Sequence, residues 1–216
     1  MGKSSIAVSL AATPGNAAMH QGVRYRRDAP EPLISEGKRM NTANSVDAPG
    51  DALVSEQTRR WISRFVVDLN LCPFARRELD ADRIRFSATR ASTRAGVLAA
   101  LRDELNVLRA DDAIATGFLI HPNALDDFLA YNDFLREVDQ LLQVTELEGV
   151  FQIASFHPDY QFASTGPRDA ENFSNRSPWP MLHVLREDDV EAAIKGHPDA
   201  ESIPNRNIAT LRQCGA

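Results

Sequence analysis

Residues 113–158 read AIATGFLIHPNALDDFLAYNDFLREVDQLLQVTELEGVFQIASFHP, and this stretch decides the fold. Its first residues, 113–120, form a short apolar run bounded by Asp111-Asp112 and His121-Pro122, the pattern of a strand covered on both faces. Asn123 then stands where a helix N-cap belongs, and Leu125, Phe128, Leu129, Leu135, Val138 and Leu142 recur at helical spacing. Gly149 breaks that helix, and residues 150–156 return to a strand pattern. A strand, helix, strand unit with a crossover of this length implies parallel pairing and a right-handed connection. Both strands end in His-Pro. As parallel neighbours about 4.8 Å apart, they would bring His121 and His157 out at one carboxyl edge, where open α/β sheets bind ligands.

Working outward, Leu53, Val54, Trp61, Ile62, Phe65, Val66 and Leu69 form a helical stripe that Pro73 should terminate, with Arg59, Arg60 and Arg64 outside it. Residues 83–89 alternate as a half-buried strand does, and Ser92 or Thr93 can cap a following helix that buries Val97, Leu98, Leu101, Leu105 and Leu108. A shorter fourth strand is expected over 181–185, a helix over 187–195, and a last helix from Pro204 to Leu211. The expected fold class is α/β: a small mixed, mainly parallel sheet of three to four strands with packing helices, in a single domain over residues 51–216.

Residues 1–50 lack any sustained apolar period and carry Pro14-Gly15, Pro30-Glu31-Pro32 and Pro49-Gly50. That predicts a disordered N-terminal extension, with residues 1–39 dispensable for folding. The whole chain has 43% hydrophobic and 25% charged residues, ordinary globular composition. No apolar run approaches the roughly 20 residues a bilayer helix needs, and 2 cysteines cannot supply a disulfide framework. A cytoplasmic location follows as the expectation. The net charge of −6 argues against a nucleic-acid or anionic-membrane partner, which would need a dense cationic field.

The chemistry concentrates in residues 157–186, HPDYQFASTGPRDAENFSNRSPWPMLHVLR. Much of this is a connection longer than a compact domain carries without a use for it, and Phe162, Phe173 and Trp179 would anchor it as an ordered loop. His157 and Asp159 suit an acid-base pair; with His121 or His183 the same histidine could ligate a metal, although no metal-ligand spacing is present. The competing assignment is a strand-ending histidine bonded to backbone, with Asp159 opening an Asx-turn. Arg168, Arg176 and Arg186 offer planar forks for a carboxylate or phosphate, and Asn172 and Asn175 offer donors and acceptors. Cys72 follows a helix whose C-terminal end would raise a thiol pKa, so a buried small hydrophobe competes with a nucleophile there. There is no Gly-rich phosphate loop, nucleophile elbow or dinucleotide fingerprint.

Four stretches carry a family resemblance: LCPFA at 71–75, FHPDYQFA at 156–163, NRSPWPMLHVLRE at 175–187 and IPNRNIATLR at 203–212. In this order they resemble the bacterial family catalogued as domain of unknown function 1415, over about residues 53–214. The resemblance implies no activity and no catalytic residue.

The leading functional expectation is a cytoplasmic small-molecule enzyme acting on an anionic substrate at the sheet edge. His157 would be the acid or base beside Asp159, with His183 and Cys72 as further catalytic candidates. Asn172, Asn175, Arg176, Arg186 and Arg206 would form the anion clamp. The alternative is a non-catalytic ligand-sensing or partner-binding module that uses the same loop. The sequence names neither a cofactor nor an oligomeric state.

Overall fold

The structure is a computed structural model that describes residues 50–215; apart from Gly50, the expected N-terminal extension lies outside the described residues. Helix α1 spans Asp51–Trp61 and runs on as a π-helical segment, Ile62–Val67. It ends before Pro73 is reached. Asn70 takes a left-handed φ of 52°, and the Leu71 amide bonds back to the Val66 carbonyl at 2.9 Å. Asparagine enters that region at lower cost than most residues, so it can stop a helix as glycine does. A short helix α2, Ala75–Asp80, then leads into β1, Ile84–Ala88.

Helix α3, Arg94–Ala110, is capped by Thr93, whose hydroxyl accepts the Gly96 amide at 3.1 Å. After β2, Thr116–Ile120, the chain forms a loop before helix α4, Phe128–Val144. The cap of α4 is Asp127, not Asn123: its carboxylate accepts the Ala130 amide at 2.8 Å. Leu125 lies at φ 61°, which keeps the preceding residues out of the helix. The remaining elements are β3, Phe151–Phe156; β4, Met181–Arg186; α5, Glu187–Gly196; and α6, Ile203–Gln213.

The sheet has 4 strands in the order β1-β2-β4-β3. Only β1 and β2 pair in parallel; β4 is antiparallel to both β2 and β3. The expectation of a mainly parallel sheet with β2 and β3 as neighbours is therefore corrected. The connection after β3 stays at one end of the sheet instead of crossing it, so the returning strand must run the other way. It inserts between β2 and β3, which keep a common direction with one strand between them.

Each sheet face is covered. Phe118, Ile120, Phe156 and Met181 pack against α1, the π-helical segment and α6 through Val54, Ile62, Val66, Leu71 and Leu211. Leu119, Phe151, Leu182 and Val184 pack on the other face against α3 and α4 through Leu101, Leu105, Leu108, Phe134 and Val138. Every residue of β2 is buried, which accounts for its continuous apolar run. Burying each such Leu, Val or Phe side chain contributes roughly 1.5–3 kcal/mol, so the layers hold the sheet edge as a rigid platform.

Candidate functional site

Because β2 and β3 share a direction, their carboxyl ends and the start of β4 meet at one edge of the sheet. His121 and His157 follow those strand ends directly, and both are fully buried. Tyr131, on α4, lies between them, with ring centroids 5.8 Å from His121 and 5.2 Å from His157. Its hydroxyl donates to the Met181 carbonyl at 2.9 Å and accepts the Phe156 amide at 3.0 Å. It thus joins the first residue of β4 to the last of β3. Burial pushes the phenol well above its ordinary pKa, so it stays a neutral donor.

The bonding around the histidines fixes their tautomers. The Asp159 amide donates to His157 Nδ1 at 3.0 Å, so the ring proton sits on Nε2 and is donated to the Leu125 carbonyl at 3.1 Å. Burial lowers the His157 pKa, against the pull of the Leu125 carbonyl and the Asp159 charge. The Asp159 carboxylate is exposed, and it is the backbone amide of this residue that meets His157. His121 donates from Nδ1 to the Ala124 carbonyl at 3.0 Å. Its Nε2 is buried with no hydrogen-bond partner among the described residues, and burial brings its pKa down to about 4.

The loop between β3 and β4 is ordered largely by its own polar groups. Asn172 is fully buried; its Oδ1 accepts from the Phe162 amide and the Thr165 hydroxyl, and its Nδ2 donates to the Gly166 carbonyl. Asn175 donates from Nδ2 to the Ser155 carbonyl, and its own carbonyl accepts the His157 amide. Arg176 donates to the Tyr160 and Pro167 carbonyls while its guanidinium lies 4.5 Å from the Phe173 ring centroid. His157, Asn172, Asn175 and Arg176 are thus brought into one loop assembly, with their polar atoms turned on each other and on backbone.

Other candidates fall elsewhere. Arg186 sits at the far end of β4, roughly 17 Å along the strand from Met181. There it donates to the carbonyls of Leu108, Asp111 and Ile114, so it does not form one clamp with Arg176. His183 is in the middle of β4, stacked on Phe118 at 3.9 Å with Nε2 2.7 Å from the Thr116 hydroxyl. That hydroxyl donates to the Val184 carbonyl, so His183 is the donor to Thr116, and burial takes its pKa to about 3. Cys72 is half-buried, with its thiol pKa raised by burial. Arg206 is half-buried on α6 with Nη2 enclosed and without a hydrogen-bond partner among the described residues, while Arg168 is exposed. Among the described residues, no group of three or more His, Cys, Asp or Glu side chains is placed to hold a metal ion.

A second surface escaped the sequence reading. Trp61 and Phe65 stack 6.2 Å apart, and with Pro178 and Trp179 they line a shallow depression flanked by Arg60 and Arg64. The Trp179 indole N–H donates to Gln57 Oε1 at 3.1 Å, tying the loop to α1. The only sequence signals available were arginines beside the apolar stripe and a Pro-Trp-Pro turn, which nothing local connects.

The residues matched by a family model described as Protein of unknown function (DUF1415) are 53–216. The chain belongs to that family. No curated protein and no solved structure gives a significant match. In this DUF1415 chain the stretches that carried the resemblance meet in pairs. Asn207, in the last stretch, donates to the Leu71 carbonyl of the first at 2.7 Å, and the His157 amide bonds the Asn175 carbonyl at 3.2 Å. No helix among the described residues of this DUF1415 chain is long and apolar enough to cross a membrane.

Proposed function

We propose that this chain is a non-catalytic binding module whose recognition surface is the face shared by α1 and the Pro178-Trp179 corner of the long loop. One observation carries the reading. Half-buried Trp61, Phe65 and Trp179 form a rigid aromatic floor beside the exposed Arg60 and Arg64, the residue types that dominate binding hot spots. The sheet-edge histidines, Asn172 and Arg176 support this surface from below by ordering the loop. The test is affinity capture with the intact chain and with Trp61→Ala, Trp179→Ala and Arg64→Glu variants. A specific bound component, lost in the variants while their melting curves stay cooperative, supports the module; equal capture by all four proteins sinks it.

The catalytic reading rests on a different observation, the His121 Nε2 lone pair buried at the sheet edge with no partner among the described residues. In that reading the cytoplasmic enzyme of the sequence expectation would use His121 as its base in place of His157, whose two ring nitrogens are already bonded to backbone. A panel of anionic metabolites should then stabilise the protein, and His121→Asn should abolish the melting shift.

A further inference from the structure

Resting on the binding-module reading, we infer that the partner is another protein, recognised through an extended acidic segment that carries a proline or an aromatic residue. The rim of the depression supplies the charge argument. The chain as a whole carries a net charge of −6, yet Arg60 and Arg64 stand about one helical turn apart on the same exposed rim. Arg64 has no ion-pair partner among the described residues. Arg60 meets Glu56 only at 3.9 Å, with the two side chains 74% and 60% exposed, a contact worth little in water and easily exchanged. By contrast, Arg59 is occupied, 3.1 Å from Asp82 and stacked 4.8 Å from the Phe86 centroid. Residues four apart on a helix have Cβ atoms about 5–6 Å apart, so the two available forks can reach carboxylates two residues apart on an extended chain, about 6.6 Å, as bidentate pairs.

The floor supplies the apolar half of the match. Trp179 is held by its indole bond to Gln57, while its carbonyl accepts the Ser177 hydroxyl at 2.7 Å between two prolines. A tryptophan fixed in this way loses little further freedom on binding, which favours affinity. Aromatic-lined grooves of this kind take proline or ring side chains from extended peptides. A nucleic-acid strand fits less well, since tracking phosphates calls for a continuous cationic groove rather than two arginines on an acidic protein.

Selection of random dodecapeptides displayed on phage against the full chain tests this. The expected result is a consensus with at least two acidic residues next to a proline or aromatic residue. A labelled consensus peptide should bind at least tenfold more weakly to Arg60→Glu/Arg64→Glu and to Trp179→Ala, with unchanged circular dichroism. A consensus without acidic residues that still requires Trp179 would overturn the acidic chemistry and spare the binding face. Enrichment indifferent to all these variants, or no enrichment at all, would remove both. Displacement of the peptide by oligouridine at lower concentration, or a dimer of the chain dissociated by Trp179→Ala in sedimentation, would replace the proposed partner with RNA or a second copy.

Discussion

His121 and His157 hold consecutive carbonyl groups of one loop: His121 Nδ1 bonds Ala124 and His157 Nε2 bonds Leu125. The two imidazoles come from strands separated by β4, and the ring of Tyr131 fills the space between them. Leu125 is held at φ 61°, a conformation that costs a branched residue on the order of 1–2 kcal/mol. The His157 bond offsets part of that cost.

Removing His157 should therefore loosen two loops at once. His157→Ala would lose the bonds to Leu125 and Asp159 and leave a cavity between Phe128 and Tyr131, whose ring centroids lie 5.5 and 5.2 Å from the imidazole. We expect a loss of about 2–4 kcal/mol, read from urea unfolding. Tyr131→Phe, which removes only the hydroxyl shared by Met181 and Phe156, should cost about 1–3 kcal/mol. Values near zero for both would show that the cluster does not hold the sheet edge.

Acid should expose the same histidines. Burial lowers His121 to about 4 and His183 to about 3 from the free value of 6.5, and lowers His157 as well. The unfolded chain then binds more protons than the folded one below pH 6.5. Stability from these groups is complete above that pH and falls as pH drops toward 4, by about 1.4 kcal/mol per pH unit for each fully buried imidazole. His183→Gln should flatten the slope of unfolding free energy against pH between 4.5 and 6 by about that amount. An unchanged slope would mean that His183 stays charged when folded.

How much of this was legible in the chain follows from which contacts are local. A cap at Ser92 or Thr93, which falls to Thr93, and β2 as a doubly covered strand depend on near neighbours and on burial pattern, and the structure has both. The place of β4 was not legible, because a short apolar run over residues 181–185 marks a strand without naming its neighbours. The sheet-edge position of His157 followed from its strand, and its bonding to backbone was the competing assignment; which backbone was not legible, since its partner is a left-handed Leu125 32 residues away. Tyr131 stands outside the apolar stripe read for that helix, and nothing local in the sequence marks its hydroxyl as a bridge between two strands. The surface around Trp61 and Trp179 depends on a contact between Gln57 and a residue 122 positions distant.

The two thiols should separate cleanly by reactivity. Cys214 is exposed near the C-terminus, whereas Cys72 lies against the core beneath α6 with burial raising its pKa. With an aromatic disulfide reagent at pH 8, one thiol should react at the rate of a free peptide and the other only with unfolding. Cys214→Ser should remove the fast phase. A fast phase that survives this substitution would identify Cys72 as accessible and activated.

Gly117 should tolerate no side chain, for a reason that lies on α3. A Cβ built at this second residue of β2 would stand 2.8 Å from Glu104 Oε1 and 3.1 Å from Leu108 Cδ1. Glu104 is only 3% exposed and cannot swing aside freely, because Arg85 Nε grips both of its oxygens at 3.0 and 3.1 Å. Gly117→Ala must therefore displace the buried carboxylate of a half-buried ion pair or push α3 off the sheet, at a cost of about 1–3 kcal/mol. Glu104→Ala alone should also destabilise, since it opens a cavity and leaves Arg85 without its partner. Combined, the two changes should cost less than their sum by about 1 kcal/mol, because removing the carboxylate makes room for the new methyl group. Full additivity in a double-mutant cycle would show that the methyl group is accommodated by movement of Leu108 and that the Glu104 carboxylate does not limit the site.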